Sequence, residues 1–196
     1  MNFLAHAYLS FNNDEVLLGN MMNDFLKGVD KTVFSAGVQK GIKLHRAIDS
    51  FTDTHPATQQ AKIFFKPNYR LYSAPIVDVV FDHFLATDKN EFTPQTLIKF
   101  AKDVYSRLDT LQSIMPENFM QIFQYMKRQN WLQGYAEKQN IYHSLNGLKR
   151  RSKYLDEMET AFDIFEKDYD GIKNCFDALW IDLKNYSKNL YNEKSF

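Results

Sequence analysis

Apolar residues recur along this chain at spacings of three and four, as in Phe119, Ile122, Phe123 and Met126. That is the period that lines one face of an α-helix with side chains destined for a core. No Asn-Gly or Asp-Gly hairpin joins alternating strands, and only seven glycines and five prolines interrupt the pattern. An all-α chain is therefore expected. The periodicity predicts helices roughly over 14–27, 35–54, 57–65, 75–86, 94–113, 117–129, 131–148, 153–168 and 171–192. Ser73-Ala74-Pro75 and Phe92-Thr93-Pro94 each offer a hydroxyl cap with proline in the first turn, while Pro56 and Pro67 are expected to stop or restart helices. No proline follows Pro116, and the Tyr-, Phe-, Lys- and Asn-rich stretch beyond it reads as long packing helices. With no repeat, low-complexity tract or linker, residues 1–196 read as a single compact helical domain.

Composition then removes several classes of function. A chain of 196 residues can bury a substantial core. Its 24 basic and 24 acidic residues cancel, so it lacks the global field of a nucleic-acid binder or a polybasic membrane protein. A charged partner must be met by a local patch. The lone cysteine, Cys175, excludes an intramolecular disulfide and any CxxC site, which fits a reducing cytoplasm. The opening MNFLAHAYLSFNNDE lacks the basic start, long apolar core and small-residue cleavage site of a secretory signal. No apolar run approaches the roughly 18 residues that span a bilayer. The expectation is a soluble, unprocessed protein whose oligomeric state is open.

Chemistry concentrates where polar residues break the apolar faces. In APIVDVVFDHFLATD, Asp78 and Asp82 are one helical turn apart and His83 is about 100° beyond Asp82. In GIKLHRAIDSFTDTHP, His45, Asp49 and Asp53 form a slanting stripe at four-residue steps. Asp24, with Asn20 one turn before it, and His6 complete the group. A carboxylate in a core without a partner is costly and protonates rather than staying charged. Several together ask for a cation. Arg46 and Lys43 supply one reading, as salt-bridge partners. A divalent metal supplies the other, since mixed imidazole and carboxylate ligands suit Mn, Fe, Zn or Mg.

The segments MNFLAH, GN followed by DFLKG at 19–28, GIKLHRAIDSFTDTHP at 41–56 and DVVFDHFLA at 78–86 resemble the acyl carrier protein phosphodiesterases, or holo-acyl-carrier-protein hydrolases. NGLKRRS at 146–152 extends the likeness more loosely. The resemblance implies an all-helical, HD-domain-like fold and a manganese-dependent reaction that removes 4′-phosphopantetheine from the serine of holo acyl carrier protein. Position by position, His6, Asp24, His45, Asp49, Asp78, Asp82 and His83 fall in the matching motifs; the chemistry of phosphodiester hydrolysis then assigns Asp24, His45 and Asp82 to the metal, with Asp49 and Asp78 as further ligands or as groups orienting the histidines. His6 and His83 are then expected in ligation or proton transfer, and Arg46 on a phosphate oxygen. One departure stands out. A conventional HD site has His followed directly by Asp, whereas His45 is followed by Arg46, and the adjacent pair is Asp82 then His83.

The acyl carrier protein implied by the resemblance is acidic, so a neutral enzyme needs a local basic surface to receive it. Lys149, Arg150, Arg151 and Lys153 offer one; as a plain reading they are a solvated face. Asp53 and His55 have an equally plain reading as the end of a helix before Pro56, and Asn20 as a helix-surface hydrogen bonder. Lys27 reads as a cap on the last carbonyls before Gly28, His143 as an ordinary half-buried histidine and Cys175 as packing. Two other functions stay open at this point: an HD-like hydrolase of a nucleotide or small phosphate ester, and a non-catalytic helical interaction module. Stoichiometric metal would exclude the module.

Overall fold

A computed structural model describes residues 1–152 and 154–193, apart from the side chain of Arg151. Lys153 and the Arg151 side chain, both expected to dock a partner, lie outside the described residues. Among the described residues every regular element is helical: α1 (Phe3–Tyr8), α2 (Asp14–Met22), α3 (Ala36–Thr54), α4 (Pro56–Tyr69), α5 (Ser73–Thr87), α6 (Pro94–Asp109), α7 (Glu117–Arg128), α8 (Trp131–Gly134), α9 (Lys138–Arg151), α10 (Glu159–Lys167) and α11 (Tyr169–Asn192).

Local chemistry explains most starts. Asn13 and Ser35 accept from the backbone N–H groups of Val16 and Val38 at the heads of α2 and α3, and Thr93 forms a capping box with Thr96 ahead of Pro94. Ser73 is not the cap that was expected: it opens α5, and its hydroxyl donates back to the carbonyl of Arg70. Pro67 does not stop its helix either. It lies inside the last turn of α4, where the carbonyl it leaves without an intrahelical donor belongs to exposed Ile63.

Other boundaries differ from the expected ones, among them those of α4, which runs on to Tyr69, α6, which ends at Asp109, and α10, which starts at Glu159. A short N-terminal helix, α1, stands where none was predicted. The helix expected over 14–27 ends at Met22, tightens into a 3-10 turn over Asn23–Phe25, and the chain reverses at Gly28, whose φ of 79° suits glycine. The helix expected over 131–148 is split into α8 and α9. There the Tyr135 carbonyl accepts from His83 Nδ1 at 2.8 Å, so a tertiary donor holds an acceptor that a continuous helix would use.

Two contacts position the site. α5 is buried on nearly every side, against α1, α4, α9 and α11, with Phe81 and Phe84 fully enclosed. α2 and α3 meet backbone to backbone at Gly19 and Gly41: a Cβ on Gly19 would lie 2.1 Å from the Val38 carbonyl oxygen, and one on Gly41 2.2 Å from that of Val16. This approach brings Asn20 of α2 onto His45 of α3. Phe65, Phe119, Phe123, Phe165 and Phe176 fill a core continuous with the one beneath the site. No described helix is long and apolar enough to cross a membrane.

Candidate metal centre

Asn20 organises the two histidines. Its backbone carbonyl accepts from His45 Nδ1 at 2.6 Å, and its side-chain oxygen meets His6 Nδ1 at 2.8 Å. The Asn20 amide nitrogen donates to the His6 carbonyl and to Ser10 Oγ, at 2.8 and 3.1 Å, which fixes the orientation of the amide. Carbonyl oxygens only accept, so both imidazoles carry a proton on Nδ1. Each Nε2 is then free to offer a lone pair. The rings stack at 4.0 Å with an interplanar angle of 10°, and both Nε2 atoms face Asp49.

Carboxylates face them. His45 Nε2 lies 3.0 Å from both Asp24 Oδ1 and Asp49 Oδ2. His6 Nε2 lies 3.2 Å from Asp49 Oδ1, off the line a hydrogen bond needs, and is a buried nitrogen without a hydrogen-bond partner. Two lone pairs aimed at carboxylate oxygens repel unless a cation sits between them. Here it is a proton on His45: burial alone would lower its pKa, but the hydrogen bonds and charges of Asp24 and Asp49 push it up to about 9. Burial and the His45 charge together lower His6 against the pull of Asp49. Burial would raise Asp49, yet the hydrogen bond from His45, with His6 and the Met1 ammonium close by, holds it well below the usual carboxylate range. The hydrogen bond from His45 lowers Asp24 as well.

His6, His45 and Asp49 each offer a ligand atom within 4.8 Å of the others, which fits a metal ion. Asp24, on the turn after α2, flanks His45 from the solvent side with its side chain 69% exposed. A cavity of about 30 Å³, lined in part by His6, Asn20, Asp24 and His45, holds little more than one water-sized particle. Arg46 is exposed, and its Nε donates to Asn23 Oδ1 at 3.2 Å, beside Asp24. Among the described residues neither Arg46 nor Lys43 forms an ion pair, so the carboxylates are not matched in the way the salt-bridge reading requires.

Other expected residues stand elsewhere. Asp82 is fully buried and spends both oxygens on backbone: Asn2 and Ala5 N–H groups meet Oδ1 at 3.2 and 3.4 Å, and Leu4 N–H meets Oδ2 at 2.6 Å. The expected ligand is instead the cap that holds α1, and therefore His6, in place. Burial pushes its carboxyl up to about 7 against the pull of the Met1 ammonium and those N–H groups. His83 is also withdrawn from the site. Its Nδ1 donates to the Tyr135 carbonyl, and its Nε2, 2.9 Å from Tyr169 Oη, accepts from that hydroxyl; burial lowers its pKa to about 4. Asp78 binds the Met1 ammonium at 2.9 Å, and that ammonium is also 3.7 Å from Asp49. Asp53 and His55 lie at the end of α3 before Pro56, where their plain reading placed them; Asp53 also pairs with Lys62, and His55 caps α4 by accepting from Ala57 N–H.

The sequence profile described as acyl carrier protein phosphodiesterase matches residues 1–183. The chain belongs to the acyl carrier protein phosphodiesterase family. Relatives in this family carry that name: one from Photorhabdus laumondii is 35% identical over 100% of this chain and 98% of its own. Others from Enterobacter sp. (30%, over 96% and 98%) and Yersinia pestis (33%, over 90% and 92%) are nearly as similar. No solved structure matches the chain. For this family member the residue that sequence reasoning undervalued is Asn20, whose only sequence signal was its place one turn before Asp24.

Proposed function

We propose that this protein is a metal-dependent phosphodiesterase that hydrolyses 4′-phosphopantetheine from the serine of holo acyl carrier protein, leaving the apo carrier. The observation that carries this reading is the pair of Nε2 atoms turned on Asp24 and Asp49, in a chain whose relatives are named for that substrate. His6, His45 and Asp49 hold a divalent ion, with Asp24 closing the solvent side. Mn²⁺ suits the donor set and is the ion the family resemblance implies. When bound, such an ion polarises a phosphoryl oxygen and makes water acidic enough to attack at neutral pH.

The chain's own groups do the rest. Asn20 fixes both imidazoles so that neither can turn its lone pair away. Arg46, anchored by Asn23, turns its remaining N–H groups to a phosphate oxygen. Water adds to phosphorus, the bond from phosphorus to the serine oxygen breaks, and the serine oxygen leaves with a proton. A carrier substrate of fatty acid biosynthesis and the buried thiol of Cys175 support a cytoplasmic setting. The deciding experiment mixes the protein with holo carrier and Mn²⁺ and follows the carrier mass. Loss of phosphopantetheine is expected, and none under any divalent metal rejects the reading.

Metal affinity should rise with pH, because the proton on His45 must leave before an ion can bind. Below the His45 pKa of about 9 the expected slope approaches a factor of about ten per pH unit. In the metal-free protein the sign is opposite: the His45 proton stabilises the fold fully below pH 6.5, and that contribution is lost as pH rises through about 9. Calorimetry with Mn²⁺ in buffers of different ionisation enthalpy should find about one proton released per ion near neutral pH. Affinity that does not change with pH would remove His45 from the ligand set.

Docking of the acidic carrier is proposed on Lys149, Arg150, Arg151 and Lys153. Among these, Lys149 is half-buried and Arg150 exposed on the last turn of α9. Reversing Lys149 and Arg150 to Glu should mainly raise KM and flatten the decline of the wild-type rate with salt, since such charges guide encounter. Unchanged KM and salt response would move docking to Lys43 and Arg46 beside the metal site.

A further inference from the structure

The metal cavity is far too small for the substrate's arm, yet a large groove opens beside it. The groove has a volume of about 760 Å³, in the roughly 300–1,000 Å³ range of small-molecule sites. One wall is the loop that leaves Asp24, with Phe25, Val29 and Phe34; the other is the segment of Ile114, Met115 and Pro116. Asn118 Nδ2 ties the walls by donating to the Phe25 carbonyl at 2.9 Å, and the Phe25 ring packs 5.3 Å from that of Phe119.

We infer that this groove receives the pantetheine arm of the substrate, an inference that rests on the carrier phosphodiesterase reading above. Position is the first reason. The groove is lined by Phe25, the residue after Asp24, so the 3-10 turn over Asn23–Phe25 carries both a residue of the metal site and a wall of the groove. Chemistry is the second. Pantetheine presents a dimethyl group and a thiol-tipped chain joined by two uncharged amides, which calls for apolar walls and a few neutral hydrogen-bonding groups. Exposed Ser113 and Gln121 supply those groups, and neither side chain forms a hydrogen bond among the described residues. Charge is the third. Lys27 and Glu117 are the groove's charged residues and they cancel, so it offers nothing to the acidic body of a carrier, which must sit on another face.

Ile114 and Gln121 are both exposed, so Ile114→Trp and Gln121→Trp fill the groove without disturbing the core. Binding of pantetheine itself is measured first, by saturation-transfer NMR, because it has no phosphate and needs no turnover. Transfer to its dimethyl protons is expected from the wild type and should be lost in both variants. With holo carrier the variants should show KM raised about tenfold and kcat retained. No transfer in the wild type, or equal transfer in both variants, overturns the inference whatever the activity. A wild type that binds pantetheine but releases no phosphopantetheine from the carrier overturns the phosphodiesterase reading and leaves the groove as a pantetheine site.

Discussion

Asp49→Ala is expected to abolish stoichiometric metal binding and to lower turnover by more than the roughly 100-fold that losing a supporting partner costs. Among the described residues Asp49 is the one carboxylate that faces both histidines, at 3.2 Å from His6 Nε2 and 3.0 Å from His45 Nε2. Without it the two lone pairs converge on no common anion. Asn20→Ala should be milder, in the roughly 10–100-fold range, because it frees the His6 ring while His45 keeps the backbone carbonyl of residue 20. Circular dichroism should be unchanged in Asp49→Ala, since the Asp49 side chain is 38% exposed and caps no helix. Metal content by mass spectrometry and carrier turnover together check the pair. An Asp49→Ala protein with near-normal turnover in saturating metal removes Asp49 from the ligands.

The second large effect is on stability. Gly41→Ala adds one methyl group on α3, but that carbon would stand 2.2 Å from the Val16 carbonyl oxygen and 2.9 Å from the Asn20 backbone nitrogen. Backbone atoms of a packed helix cannot yield as a flexible side chain can, so α2 and α3 must separate. The expected loss is about 3 kcal/mol or more, at the upper end for overpacking. It should appear as a lower urea midpoint with unchanged slope. Gly19→Ala should behave alike, because its carbon would stand 2.1 Å from the Val38 carbonyl oxygen. Separation of these helices also pulls Asn20 from His45, so metal affinity should fall in parallel with stability. A Gly41→Ala protein within about 1 kcal/mol of the wild type would mean the helices do not meet as described.

What the sequence determined by itself was local. Spacings of three and four made the chain helical, because side chains three and four apart share a helix face whatever surrounds them. The same geometry made His45 and Asp49 neighbours, and they are 3.0 Å apart. The cap at Thr93 was legible because a cap acts within three residues. Tertiary structure decided what each face meets. Asp82 and His83 are adjacent in sequence, yet on a helix buried on nearly every side they face different neighbours. Asp82 meets the start of α1, and His83 meets Tyr135 and Tyr169. Asn20 read as a surface residue because nothing local showed that two glycines would let α3 cover it. Spacing sets angles about a single helix axis; which partner lies at each angle depends on how distant segments pack, and that assigns the roles of Asn20, Asp82 and His83.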